Sequence, residues 1–273
     1  MRQPYKSRIM EHESPRTHPD VPSDGAQSIR RALEIARHVA QLQRSGATLA
    51  RVSKATGLNR STVFRILRSL TDERLLTFRQ SDRTYHVGPL AFELGLAGGA
   101  HADLREEWRE TVATIAARTG LTSYLMARSG DEAVCLLCVQ GTAPLRAMPV
   151  DIGQRVPLGI GAGGLALLAA LDDDEVRRIA AGHAARIGVF PSRGLSVGEI
   201  EARVEQTRRR GFSISTGTVA AGVVGVGVLV PQMPGPTKMA LTVSAVSNHL
   251  DEREAETLAH AILAVARERM PRG

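Results

Sequence analysis

Three groups of residues in this sequence combine reactive side chains with a spacing that has a chemical meaning. The first is Asn59-Arg60-Ser61-Thr62, followed by Arg65 and Arg68. On a helix, Ser61, Arg65 and Arg68 recur at steps of four and three and therefore share a face. Guanidinium groups there pair with phosphates or with the O6/N7 edge of guanine, and the hydroxyls of Ser61 and Thr62 accept or donate as the partner requires. The second group, Gly159-Ile160-Gly161-Ala162-Gly163-Gly164, satisfies G-x-G-x-x-G, the phosphate-cradling fingerprint of dinucleotide sites. The third is Cys135-Leu136-Leu137-Cys138, with the spacing of a redox pair; apart from these three, the acidic run Asp172-Asp173-Asp174-Glu175 raises the question of a metal.

The glycine fingerprint requires a strand just before it and a β-α-β unit around it. Val156-Pro157-Leu158 makes a poor strand, because proline cannot donate to a ladder. Glycines that open a helix still expose backbone amides, and a helix N-terminus attracts a carboxylate, so the segment reads as a small-anion pocket. A nucleotide-binding enzyme using Gly159–Gly164 is the alternative; tight binding of NAD or ATP would favour it. Cys135 and Cys138 fall in a β-prone run, away from any helix start that would stabilise a thiolate, and read as a buried structural pair. The acidic run opens a helix, where acids favour the dipole, and Arg208-Arg209-Arg210 closes one, where cations do. No H-x-x-x-H and no G-x-S-x-G occurs, so no catalytic residue, metal or cofactor is expected.

The elements that must position these groups follow from periodicity. Apolar residues recur at helical spacing from Gln27 to about Leu42. Thr48 caps a short second helix that stops at Gly57, and Asn59 caps a third whose apolar stripe is Val63, Ile66, Leu67 and Leu70. Two β-prone runs, Leu75–Phe78 and Thr84–Val87, flank a polar turn and predict a hairpin wing. A helix opening at Pro89 connects to the rest. Beyond residue 100, a helix from about Ala102 to Arg118 precedes strands at Thr122–Ala127 and Ala133–Val139, then helices at Ala162–Ala170 and Asp172–Ala181. Ser196 and Glu199 match a capping box for a helix ending at Gly211; strands follow at Gly211–Ser215, Val223–Val230 and Met239–Val246, and then a final amphipathic helix. The mixture predicts an α+β sandwich.

Charge divides the chain. Residues 27 to 100 hold twelve basic and five acidic residues, while residues 1 to 26 hold four of each and residues 101 to 273 nineteen of each, so the whole excess of +7 lies in one segment. A cationic surface on one small module attracts a polyanion and releases its counterions. Aromatic residues are only 3%, which argues for duplex grooves over stacked single strands. The longest apolar run, Val219–Val230, is too short to span a bilayer and is broken by glycines; with no signal-like N-terminus and two cysteines, cytoplasmic residence is expected.

In its order of motifs the sequence resembles the IclR family of bacterial transcriptional regulators. The resemblance rests on Ser28–Ile35, Thr56–Leu67, the Tyr85-His86-Val87-Gly88 after the wing, and Gly153-Gln154-Arg155-Val156-Pro157-Leu158. It implies a winged helix-turn-helix over residues 27–88, a linker helix over 89–100 and a GAF-like α+β effector-binding domain over 101–273, preceded by a disordered tail, 1–26. It further implies dimers that often pair into tetramers on double-stranded operator DNA. For the effector, the family pattern points to the amides of Gly161, Ala162 and Gly163, with Ser215 and Thr216, Gly225, and Thr242 and Ser244, the last pair two apart and so on one side of a strand. The sequence departs from the commoner pattern at Gly159, Leu165 and Ser215-Thr216, where His, Lys and a more acidic pair are frequent. The expected function is a regulator controlled by a small organic acid; a purely architectural DNA binder would show no response to such acids.

Overall fold

The computed structural model describes residues 24–42, 46–98, 100–145, 147–184, 195–230, 237–247 and 249–269. Most of the expected tail lies outside these residues; its last three residues open the first helix, α1 (Asp24–Gln41). Thr48 accepts from the Arg51 amide at 3.4 Å and starts α2 (Leu49–Thr56), which Gly57 ends in the left-handed region at φ +68°. Asn59 then starts α3 (Arg60–Asp72), its Oδ1 accepting from the Thr62 amide at 2.8 Å. Val63 and Leu67 of α3 are fully buried against Ile35, Val39 and Val52. Each such side chain contributes roughly 1.5–3 kcal/mol on burial, so this stripe fixes the rotation of α3 and turns its other face outward.

The wing is the antiparallel hairpin β1 (Leu76–Arg79) and β2 (Thr84–Val87). The Phe78 and Tyr85 rings pack across it at a tilt of 47° with centroids 4.8 Å apart, and the Tyr85 amide donates to the Ala47 carbonyl, tying the hairpin to the turn before α2. From the wing α4 (Pro89–Gly98) leads to α5 (Ala100–Thr119).

The rest of the chain builds one sheet between two layers of helices. From α5 it runs through β3 (Thr122–Ser129), β4 (Glu132–Val139) and β5 (Arg155–Pro157), stepping from the sheet centre to one edge. It then crosses one face by α6 (Gly161–Ala169), α7 (Asp173–Ala184) and α8 (Val197–Arg210). Ser196 and Glu199 form the expected capping box on α8, and Gly211 ends it at φ +79°. The chain returns from the far edge through β6 (Ser213–Thr216), β7 (Val223–Leu229) and β8 (Met239–Val246), closing beside β3, and ends in α9 (Glu252–Arg269). The order is β5-β4-β3-β8-β7-β6, antiparallel throughout. One core, built on Trp108, Ile115, Leu241 and Ile262, lies under α5 and α9; the other, built on Met126, Leu167, Leu168 and Ile200, lies under α6 to α8. Covered on both faces, β3 is buried from Thr122 through Ala127.

One expectation is corrected. Val156-Pro157-Leu158 reads as a poor strand, yet Val156 and Pro157 belong to the edge strand β5 with Arg155, and Pro157 sits at its end opposite Glu132. An edge position leaves one side of the strand without a partner, which is where a residue lacking an N–H is tolerated.

Candidate DNA-reading helix and effector cavity

The outward face of α3 carries Arg60, Ser61, Arg65 and Arg68, all exposed, with Thr62 half-buried. Asn59 is committed to the helix start: its Oδ1 accepts from the Thr62 amide and also from the Ser61 hydroxyl at 2.9 Å. Arg68 reaches Asp72 at 3.9 Å, both side chains in solvent, a pairing worth little in water. Phe64 stands in the middle of this face, 48% exposed, where the apolar stripe predicts solvent. The sequence reading passed over it, although its place between Ser61 and Arg68 was the available signal; aromatic rings in a major groove contact thymine methyls.

Beside α3, the wing tip is fixed by its own polar groups. Arg79 pairs with Asp82 at 2.8 Å and the Thr84 hydroxyl donates to Asp82 at 2.6 Å. The Thr84 hydrogen bond, and after it Arg79, hold the Asp82 carboxyl below the ordinary carboxylate range.

The second site is a cavity between α6 and the sheet, with about 490 Å³ of space between its atoms, part of it open to solvent. Its lining is mostly apolar with a few polar groups, the composition typical of small-molecule sites. Gly161, Ala162 and Gly163 of α6, Ser215 of β6, Gly225 of β7, and Thr242 and Ser244 of β8 line it. Thr216 does not. Strand alternation turns its side chain away from that of Ser215, and it lines a separate groove beside α8 with Arg203 and Gln206.

The wall also includes residues the sequence reading missed: Tyr124 and Met126 of β3, Val150, Ile160 and Val219. Tyr124 lies opposite Thr242 in the β3–β8 register, so its position follows only from the strand pairing. Its hydroxyl donates to the Ala147 carbonyl at 3.0 Å, and burial first, then the nearby Cys138 thiol, push the phenol well above its ordinary value.

Among the described residues no lining side chain carries a formal charge. Positive potential comes instead from the start of α6, where Ile160 supplies no side-chain cap and residues 161–168 are all buried. Backbone amides at the positive end of a helix dipole, in surroundings poor in water, attract an anionic group. Gly163 lets α6 approach this closely: a Cβ there would sit 2.7 Å from Met126 Cγ and 3.0 Å from Thr242 Cγ2.

The G-x-G-x-x-G run has a strand before it, but that strand belongs to an antiparallel sheet and the next strand in sequence lies at the opposite edge, so no parallel β-α-β unit surrounds it. Gly164 serves packing, since a Cβ would come within 2.9 Å of the Pro157 carbonyl oxygen. Cys135 is a free, buried thiol whose burial raises its pKa, the opposite of an activated nucleophile. Asp172 accepts from the Glu175 amide at 2.8 Å, and Asp173 pairs with Arg208. Arg208 also donates to the carbonyls of Ala169, the last residue of α6, and Leu171 just beyond it. Among the described residues no cluster of three metal-ligating side chains occurs, and no helix is long and apolar enough to cross a membrane.

Comparison with known proteins bears on both sites. The family description "Bacterial transcriptional regulator IclR C-terminal" matches residues 99–269, and "IclR helix-turn-helix domain" matches residues 28–80. The chain belongs to the IclR family of bacterial transcriptional regulators. It is 26% identical over 246 residues to the HTH-type transcriptional regulator XynR of Escherichia coli, covering 88% of this chain and 96% of that protein. The IclR-family fold is shared with a transcriptional regulator of Alicyclobacillus acidocaldarius (TM-score 0.68, 21% identity, 89% of this chain and 97% of that one). It is shared also with an IclR homologue of Microbacterium hydrocarbonoxydans solved in complex with 4-hydroxybenzoate (TM-score 0.65, 18% identity, 89% and 98%). As an IclR regulator with a helix-turn-helix domain, the chain is a DNA-binding protein and not an enzyme, which sets aside the reading of Gly159–Gly164 as a nucleotide cradle.

Proposed function

We propose that this IclR regulator binds double-stranded operator DNA through α3 and the wing, and that a small organic acid in the α6 cavity changes its affinity for that DNA. The carrying observation is the cavity itself: the first amides of α6 and the hydroxyls of Ser215, Thr242 and Ser244 line one side, and the apolar Met126, Val150, Ile160 and Val219 form much of the rest. Such a lining suits one carboxylate on a compact apolar body. The 4-hydroxybenzoate bound by the Microbacterium homologue has that chemistry, and the fold is shared.

In this reading the unit of residues 27–88 meets DNA. Arg60, Arg65 and Arg68 meet phosphates or guanine, Ser61 and Thr62 meet base edges or backbone, and Asn59 holds the helix start in place. Residues 89–100 link this unit to a GAF-like effector domain. The active species is a homodimer, or a tetramer built from two, acting in the cytoplasm. Exposed Phe92, Leu94 and Leu96 on α4, and Ile29 and Leu33 on α1, supply the apolar surface that a second copy would cover. The acid acts by binding one arrangement of the two reading heads more tightly than another, because a ligand without such a difference shifts nothing.

The test is a mobility shift of the full chain on its own upstream DNA at fixed salt, repeated with a panel of aromatic and short aliphatic acids. At least one acid is expected to change the midpoint. Equal midpoints with every acid would leave an architectural DNA binder.

A further inference from the structure

The start of α6 is already occupied by a side chain of the protein. The Gly161 amide, the first of the helix, donates to the Thr218 hydroxyl oxygen at 3.0 Å. Thr218 in turn shares a 2.5 Å hydrogen bond with the Ser215 hydroxyl, in which either oxygen can donate. Two residues that line the cavity, Gly161 and Ser215, thus each bond one buried threonine from the segment between β6 and β7, which itself lines the neighbouring groove beside α8. The next residue, Val219, packs against the same point: a Cβ on Gly161 would lie 2.8 Å from Val219 Cγ2. Gly161 can be bare there because it holds φ at +69°, a conformation costly for residues with side chains.

We infer that Thr218 is an internal stand-in for the effector carboxylate, and that the acid binds by displacing it from the Gly161 amide and Ser215. The inference rests on the carboxylate-binding reading of the cavity given above. A carboxylate is a stronger acceptor than a hydroxyl and makes charge-assisted bonds to amides. Thr218 and the carboxylate cannot both hold one N–H with good geometry, so occupancy of the cavity is exchanged for the clasp. Thr218 sits between Gly217 (φ +65°) and Gly222 (φ +73°), in a turn closed by hydrogen bonds from the Gly217 amide to the Val223 carbonyl and from the Ser247 amide to the Gly222 carbonyl. Release of Thr218 therefore moves a short segment bounded by two glycines and takes Val219, part of the cavity wall, with it. Thr218 is a positioning residue that competes with the ligand, so removing its hydroxyl must strengthen acid binding, opposite in sign to the loss of a ligand contact.

The experiment uses acetate, the carboxylate alone, as probe, titrated into the full chain with ¹⁵N-glycine and methyl-labelled threonine. In the wild-type protein acetate is expected to shift the Gly161 and Gly163 amides, with the Thr218 methyl moving at the same midpoint. Thr218→Val, which keeps shape and removes the hydroxyl, is expected to lower the acetate midpoint about 3- to 10-fold, the range of one net hydrogen bond, while Thr218→Ser stays near wild type. A midpoint unchanged or raised in Thr218→Val overturns the inference. So does a Thr218 methyl that stays still while Gly163 shifts, a result read on the wild-type protein alone. In both cases acetate still binds and the carboxylate reading of the cavity stands. Gly161 and Gly163 amides that ignore acetate in every variant would instead remove that reading, and the inference with it.

Discussion

The two helices proposed to meet an anion at or near their N-terminal ends, α3 and α6, are built in opposite ways. The start of α3 is closed by its own Asn59, and its charge is carried by exposed arginines on long stems. The start of α6 takes no cap from its own Ile160, only the hydroxyl of the distant Thr218 on the Gly161 amide, and no described residue of the cavity wall is charged; its positive end is buried backbone. The difference matches the proposed targets. A DNA duplex is a long polyanion met in water and salt, where a helix dipole is screened within a turn and mobile guanidinium groups do better. A small acid entering a cavity is stripped of water, and there fixed amide dipoles are effective and cost no reorganisation.

The largest effect should come from the exposed charges. Replacing Arg60 and Arg65 together by Ala is expected to weaken operator binding about 100-fold at fixed salt and to flatten its salt dependence, leaving acid binding intact. Anisotropy titrations at two salt concentrations read both; loss of acid binding in the same variant would break the division of labour.

The converse change acts on α6. Gly163→Ala puts a methyl 2.7 Å from Met126 Cγ, so acid affinity should fall about tenfold by titration calorimetry while operator affinity without acid is kept. The gain in helix propensity of about 1 kcal/mol offsets part of the packing cost, so melting should move little.

A smaller effect sharpens the contrast of caps. Asn59→Ala should cost about 1 kcal/mol of stability in denaturant melts and weaken operator binding a few-fold through a frayed α3 start. The smallest effect is electrostatic. The folded Asp82 carboxyl titrates below its ordinary value, so its contribution to stability is present above the ordinary carboxylate range and is lost as pH falls through the folded value. Asp82→Asn should remove that part of the acid-limb slope in thermal melts, a slight change because the carboxylate is in solvent.

Legibility varied with the range of the interaction. The limits of β8, Met239–Val246, were readable to the residue, and both caps Thr48 and Asn59 were readable because a cap is a bond to a residue three positions away. β5 was missed because the rule against proline in strands depends on whether the strand is an edge. Thr216 was placed with Ser215 because adjacency in sequence looks like adjacency in space, whereas a strand sends neighbours to opposite sides. Tyr124, Met126 and Thr218 carried no local sign of being near the cavity.

By itself the sequence determined where the positive charge sits, which face of α3 is cationic, and how most helices begin and end. These are matters of composition and of contacts within four residues, which the chain's covalent geometry enforces wherever the segment lies. The cavity was decided only by the tertiary structure. Residues 124, 162, 215 and 242 converge because the chain leaves the sheet at one edge and re-enters at the other, and because packing α6 against β3, β7 and β8 selects which alternate side chains face it.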